Sequence, residues 1–426
     1  MAGNKGGLLP QEEYDKEIKK YEGFKSLGLK LNMARGKPSP GQLDIADDIL
    51  TIVKPGDFTA SDSTDIRNYG NLEGLPELKK IYAEILDVPQ ESILLGGASS
   101  LNLMFDTISA AYFKGMAGSK RPWIKEQKVK FLCPCPGYDR HFAVSEYFGM
   151  ELVPVAFRED GPDMDEVERI ASSDPSVKGM WIVPIYSNPD GIVCSLETLK
   201  RMASMKTAAP DFTVMYDNAY CVHNLYDDRP APIYPILEIA EKCGNPSRFV
   251  EFFSTSKITY AGGGISGLAA NPEEKQKLLE SEKIRTICYD KVNQYRHAKY
   301  LKSAENVRRI MSRQAEFLRP RFEKVEEIFS NELSDVEGVR WTKPLGGYFI
   351  SFYSVPGTAK RVYELCRDAG VTLTKVGATY PYGKDPEDSN LRIAPSYPSL
   401  EDLSQSAELF CCAVRLAVLE KELGKI

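Results

Sequence analysis

A series of short apolar runs through the middle of this chain, each ending in a polar cluster, restricts its fold more than any other feature. Ser92–Leu95 empties into Gly96-Gly97-Ala98-Ser99-Ser100, and Val129–Cys133 into Pro134-Cys135-Pro136-Gly137-Tyr138. Gly179–Val183 leads to Pro184-Ile185-Tyr186-Ser187-Asn188-Pro189-Asp190-Gly191, Phe212–Tyr216 to Asp217-Asn218-Ala219-Tyr220, and Phe249–Phe253 to Ser254-Thr255-Ser256-Lys257. Runs this short read as buried strands rather than helices. Helical stretches such as Leu196–Lys206 separate them, and Leu101, Met104, Phe105 and Ile108 keep helical spacing after the first. The alternation predicts an α/β fold with a mainly parallel, seven-stranded sheet sandwiched by helices. Ligands of such sheets gather at the carboxyl ends of the strands, where these polar clusters fall.

At 426 residues the chain has room for more than one domain. After Lys283 a charged helical region is expected to run to about Asn331 as a bridge. A strand over Val339–Phe352, a helix over Lys360–Ala369, a short strand at Asn390–Pro395 and a terminal helix from Leu400 follow. The expected division is an N-terminal arm and part of a small domain at 1–54, a large domain at 55–305, and a small α+β domain at 306–426. A helix over Tyr14–Phe24 and a Gly/Pro loop at Ala34-Arg35-Gly36-Lys37-Pro38 belong to the first of these; another helix opens at Pro76-Glu77.

Several function classes recede on composition. A net charge of −6 argues against a general binder of nucleic acid or membrane surfaces. The first residues lack the apolar core of a secretion signal, and no apolar run reaches bilayer length. The 9 cysteines are scattered without Cys-x-x-Cys spacing, as expected of reduced thiols in the cytoplasm. With 3 histidines, His141, His223 and His297, none paired at ligand spacing, no metal site is expected.

Two strand ends carry residues that need a common explanation: an acid, Asp217, and a lysine, Lys257. A desolvated lysine loses its proton more readily and becomes a nucleophile toward an aldehyde. A carboxylate nearby can keep a pyridine nitrogen protonated, so that the ring accepts electrons. A pyridoxal 5′-phosphate site unites both. Gly97, Ala98 and Ser99 before a helix N-terminus, with Ser254, offer a phosphate cradle. Tyr138 offers an aromatic face, Asn188 and Tyr220 hydrogen bonds to the phenolic oxygen, and Arg392 a two-pronged grip on a substrate carboxylate. Taken singly, each has a plainer reading: a solvated lysine past a strand, an ordinary helix cap, a turn.

In this order the chain resembles the fold-type I, class I/II aminotransferases. The matching pieces are Tyr69-Gly70-Asn71-Leu72-Glu73-Gly74, Gly97-Ala98-Ser99, Pro136-Gly137-Tyr138, Asn188-Pro189-Asp190-Gly191, Asp217-Asn218-Ala219-Tyr220, Ser254-Thr255-Ser256-Lys257, Gly346-Gly347-Tyr348-Phe349 and Leu391-Arg392-Ile393-Ala394. The wording around Ala34–Pro38 and Ser254–Thr259 is most similar to the bacterial type Ic aspartate aminotransferase, MocR-like subgroup. The resemblance implies a ping-pong transaminase acting on aspartate or glutamate and a 2-oxo acid. Lys257 would be its Schiff-base lysine and proton shuttle, and Asp217 the partner of the pyridine nitrogen. Gly36 would line the substrate pocket. Tyr69 would reach the phosphate of a neighbouring subunit, which implies a homodimer with shared sites.

One departure stands out. Where the family has a phosphate-gripping arginine eight residues past the lysine, this chain has Ile265, which leaves backbone N–H groups or Ser266 to compensate, or a phosphate held less tightly. Arg35, Lys37 and Arg140 are the candidates to read a distal carboxylate.

Three other readings compete. Gly262-x-Gly264-x-x-Gly267 formally matches a dinucleotide fingerprint, but polar residues separate it from the preceding strand and Gly267–Ala270 reads as a strand, not a helix. A β-lyase or decarboxylase would use the same lysine. A non-catalytic regulator on the same body would carry a winged helix, and only about one helix precedes Asn32.

Overall fold

The structure, a computed structural model, describes residues 10–426. The expected arm before Pro10 lies outside the described residues. One large sheet organises the rest. From edge to edge its strands are Ile93–Leu95, Ser266–Ala269, Phe249–Ser254, Thr213–Asp217, Val177–Ile182, Lys130–Cys135, Glu151–Arg158 and Gly161–Pro162. Only Ser266–Ala269 and the two-residue edge at Gly161–Pro162 run against the others. The expected seven strands are therefore present, with a short eighth.

The continuous apolar runs exist because both sheet faces are covered. Along each strand, neighbours point into different cores: Leu132, Met180, Val214 and Phe253 to one, Phe131, Trp181, Met215 and Phe252 to the other. The helix Ser100–Lys114 packs on the second side through Leu103, Met104 and Ile108, while Leu196–Ser204 packs on the first through Leu199 and Met202.

Several elements differ from expectation for identifiable reasons. Val153-Pro154-Val155 reads from the sequence as a short strand, but the strand spans Glu151–Arg158, because Glu151–Ala156 pairs with Lys130–Cys135 and Phe157–Arg158 with Gly161–Pro162. The long helical region divides into Pro272–Arg285, Lys291–Leu301 and Ala304–Leu333. Asp290 and Ser303 cap the second and third, their side chains accepting from the N–H groups of Asn293 and Asn306. The strand expected over Val339–Phe352 is two, Arg340–Trp341 and Ile350–Tyr353, with the Gly346-Gly347 loop between them.

A smaller body draws on both ends of the described chain. Leu31–Asn32 pairs in parallel with Val371–Thr372, and Ile350–Tyr353 lies between Arg340–Trp341 and Asn390–Ile393 in an antiparallel sheet. The helix Pro10–Ser26 packs on Leu400–Glu422. The loop after Leu31–Asn32 is tied down by Ala394 N–H to the Met33 carbonyl (2.9 Å), Thr374 Oγ1 to the Ala34 carbonyl (2.8 Å) and Ser396 Oγ to the Lys37 carbonyl (3.0 Å). These bonds hold Ala34–Gly36 over the ends of the large sheet.

A carboxyl group sits inside that sheet. Glu251 is 1% exposed and accepts from Asn218 Nδ2 at 2.8 Å, while Asn218 N–H donates to the Phe252 carbonyl at 2.8 Å. The residue after Asp217 is thus pinned from two sides. Burial pushes the Glu251 carboxyl up from 4.5 to about 8. The folded state then holds a proton that the unfolded state releases, so this contribution is complete below pH 4.5 and is lost as pH rises toward 8. Glu251→Gln should flatten the stability loss over that window, a slope of up to about 1.4 kcal/mol per pH unit. Urea unfolding of both proteins at several pH values checks it, with equal slopes as the contrary result.

Candidate active site

A cavity of about 340 Å³ opens where the carboxyl ends of the strands face the Ala34–Gly36 loop. Its walls include Tyr138, Asn188, Asp217, Tyr220, Ser254 and Lys257 from the large sheet, and Gly36, Phe349 and Arg392 from the smaller body. Most of the residues singled out from the sequence meet here; Gly97, Ala98 and Tyr69 are not in the lining.

Lys257 sits in a turn closed at its base. Thr255 N–H donates to the Ile265 carbonyl (2.7 Å), and Ile265 N–H donates back to Thr255 Oγ1 (2.8 Å). Gly264 is required at this closure, since a Cβ there would lie 2.8 Å from both Thr255 Oγ1 and the Tyr260 carbonyl. The ammonium nitrogen lies 5.0 Å from the Tyr220 ring centre and 5.8 Å from that of Tyr348. Burial drives the Lys257 amine below its ordinary value, and the charge of Asp217 opposes that shift only in part. Behind it, burial and the lysine's charge push His223 down to about 3, so its imidazole is neutral.

Asp217 is 3% exposed. Its Oδ2 lies 3.0 Å from His141 Nε2, and its Oδ1 has no partner. The His141 ring stacks on Trp181 with centres 4.5 Å apart and planes 9° apart, and Trp181 Nε1 donates to Ser145 Oγ at 2.8 Å. One carboxylate oxygen is thereby fixed, while the other has no donor among the described residues. Tyr138 lies at 5.0 Å edge-on to His141, and burial followed by the charge of Asp217 raises its hydroxyl to about 12.

Arg392 is 9% exposed, its guanidinium 4.8 Å from the Phe349 ring centre. Its Nη1 donates to Asp139 Oδ1 (3.1 Å) and Asn188 Oδ1 (3.2 Å), and its Nε to Thr374 Oγ1 (3.4 Å). Gly36 makes room for that platform, because a Cβ there would lie 2.5 Å from Phe349 Cζ.

At the other end, Ser256 N–H donates to Ser254 Oγ at 3.1 Å, and Ser99 and Ser100 bring the start of the Ser100–Lys114 helix to the wall. Gly97 and Ala98 stand behind the lining. Ser266 is fully buried and gives its hydroxyl to the Gly97 carbonyl at 2.8 Å, so it is not free to face a ligand as expected. Ile265 is 1% exposed, a core residue at the start of the return strand. That strand, Ser266–Ala269, also removes the dinucleotide reading, which needs a helix there.

Of the three basic candidates, Arg35 and Arg140 line the cavity, while Lys37 stacks 3.8 Å from the Tyr397 ring centre outside it. Tyr69 is not in the cavity but on the surface, 77% exposed. Among the described residues no cluster of side chains has the makings of a metal site, the cysteines are unpaired, and no helix is long and apolar enough to cross a membrane. The sequence reading missed His141 and Asp139, which follow Tyr138 closely on the first turn of the Asp139–Tyr147 helix. Their position just past a strand end was the available signal.

The Lys257 shift has a direct consequence in ligand-free protein. After reductive methylation with a ¹³C label, the Lys257 signal should titrate below the other lysines, and Asp217→Asn should lower it further by removing the opposing charge. A Lys257 signal titrating with the surface lysines, near ~10.4, contradicts the geometry.

Comparison with known proteins places this arrangement. Residues 11–426 match the family model described as aspartate amino-transferase. The chain is 48% identical over 408 residues to the aspartate aminotransferase of Corynebacterium glutamicum, covering 96% of this chain and 94% of that one. The crystal structure of an aspartate transaminase from the same organism superposes with a TM-score of 0.95 at 47% identity, covering 97% of each chain. The α-aminoadipate aminotransferase of Thermus thermophilus, in complex with N-(5′-phosphopyridoxyl)-L-leucine, shares the fold with a TM-score of 0.74 at 20% identity, over 98% of this chain and 100% of that one.

Proposed function

This chain belongs to the aspartate amino-transferase family, and from that premise we propose that it moves the amino group of L-aspartate or L-glutamate to a 2-oxo acid in ping-pong order, using pyridoxal 5′-phosphate bound at Lys257. The observation that carries this reading is the pairing, in one cavity, of a lysine stripped of solvent and a buried carboxylate oxygen with no donor. Asp217 Oδ1, which has no donor among the described residues, would accept from a protonated ring nitrogen. When bound, the cofactor contributes an aldehyde for the amine and a ring that takes up the electron pair left at the substrate's Cα.

The chain's own groups do the rest. Lys257 Nζ, as the neutral amine, would hold the cofactor's aldehyde with loss of water and, once the substrate's amino group has displaced it, would take the Cα proton and return it. Asp217, held by His141, keeps its charge directed at the ring nitrogen. Asn188 and Tyr220 are assigned to the phenolic oxygen and Tyr138 to the ring face. Ser254, Ser256 and the N-terminus of the Ser100–Lys114 helix, with Gly97, Ala98 and Ser99 leading into it, hold the phosphate without an arginine. Arg392 grips the α-carboxylate over Phe349, with Gly36 beside it. Arg35 and Arg140 make no ion pair or side-chain hydrogen bond among the described residues, which suits them to a second, distal carboxylate.

The exposed position of Tyr69 supports a role outside its own cavity, at the phosphate of a second copy in a cytoplasmic homodimer. The pairing of Leu31–Asn32 with Val371–Thr372 supports assigning 1–54 and 306–426 to one small domain against a large domain at 55–305.

Lys257→Ala should lower aspartate:2-oxoglutarate transamination by at least about 10⁴-fold, with product formation followed directly. Retained transamination would end the assignment, and sustained turnover of the amino acid by the wild-type protein with no 2-oxo acid acceptor present would favour the β-lyase or decarboxylase reading. Arg392→Lys should raise the KM for both substrates by roughly 10- to 100-fold, because lysine cannot reproduce a bidentate grip. Steady-state kinetics at varied donor and acceptor concentrations measures it, and an unchanged KM contradicts the role given to Arg392.

A further inference from the structure

Asp139 makes a contact that the assignments above do not use. Its Oδ1 accepts from Arg392 Nη1 at 3.1 Å, and the two side chains are 33% and 9% exposed. A guanidinium this buried needs a negative partner. In the ligand-free pocket Asp139 is that partner; Asn188 and Thr374, the other acceptors, are neutral.

The donor count leads to competition. A carboxylate held in two prongs takes a pair of N–H groups from adjacent guanidinium nitrogens, and either pair includes Nη2. Nη2 has no protein partner among the described residues. The neighbouring Nη1 is engaged by Asp139 and Asn188, and Nε by Thr374. A substrate carboxylate seated across Nη1 and Nη2 therefore meets the Asp139 carboxylate at the same nitrogen, charge against charge.

Asp139 is built to give way. It is the first residue of the Asp139–Tyr147 helix, where the free N–H groups favour a negative charge whether or not Arg392 is in contact. Its partial exposure lets water take over its solvation, whereas Asn188 is 4% exposed and held in the wall.

The geometry points to Asp139 as an internal stand-in for the substrate's α-carboxylate, neutralising Arg392 in the ligand-free pocket and yielding it when substrate binds. This rests on the carboxylate-binding role given to Arg392. Asp139 is then a residue that sets the threshold for binding: it lowers the affinity of Arg392 for every small carboxylate, so that only ligands with further contacts to make are held.

Asp139→Asn separates charge from shape, since the amide oxygen can still accept from Nη1. Calorimetric titration of the cofactor-loaded protein with succinate, a dicarboxylate with no group to react, reads the effect. Asp139→Asn should bind succinate about tenfold more tightly than wild type, the size of a change of about 1.4 kcal/mol. Asp139→Ala should bind at least as tightly as wild type, and both variants should keep the wild-type thermal midpoint within a few degrees. Unchanged or weaker succinate binding in Asp139→Asn would overturn the inference and leave Asp139 a mere support for Arg392. If neither wild type nor variant binds succinate, the role of Arg392 falls and this inference with it. The transamination loss expected of Lys257→Ala is independent of that result.

Discussion

Taking an ammonium group out of water costs several kcal/mol unless an opposite charge is close at hand, and Lys257 meets that cost only in part. Burial outweighs the charge of Asp217 at the lysine, so the proton is loosened rather than held. Asp217 is in turn engaged on one oxygen by His141 and left without a donor on the other. Two groups of opposite charge thus line one cavity without forming an ion pair among the described residues. The rest of the fold maintains that arrangement.

The means are ordinary hydrogen bonds and packing. Asp217 and Lys257 end adjacent parallel strands, so the pairing of Thr213–Asp217 with Phe249–Ser254 sets their spacing. The Asn218–Glu251 contact fixes the turn after one, and the Thr255–Ile265 exchange closes the loop after the other. His141 is stacked on Trp181, which is itself 2% exposed and fixed through Ser145. The reactive end of the cavity thus belongs to the rigid sheet. The opposite end belongs to the smaller body, whose Arg392 and Phe349 complete the wall. Placing a catalytic centre on packed elements limits how far its groups can drift from productive geometry.

Much of this was legible in the sequence because a parallel sheet leaves a strong trace: apolar runs that end in the polar residues lining the cavity. Asp217 and Lys257 could be placed at the same edge of the sheet because each follows an apolar run, and paired because one cofactor's chemistry needs both. The amine and the acid, and their neighbours Tyr138, Asn188, Tyr220 and Ser254, do line one cavity. What escaped were contacts set by rotamer and register. Ser266 carries a hydroxyl next to the missing arginine, yet its backbone neighbour Gly97 takes it. Nothing in the spacing of His141 says that it faces Asp217 rather than solvent. Helix breaks at Asp290 and Ser303 were encoded by capping residues inside a stretch whose charged composition looked uniform. Ile265 was noticed as an oddity, and its burial at the start of the return strand explains it as a packing residue.

The visible absorbance spectrum of the purified protein, recorded before and after L-aspartate is added, tests the central claim most directly. The account predicts a band above the protein's own ultraviolet absorbance that is abolished by borohydride reduction, with the label retained on Lys257 by peptide mapping, and that changes on addition of aspartate. A protein reconstituted with pyridoxal 5′-phosphate that shows no such band, or carries its label on a different lysine, would contradict it.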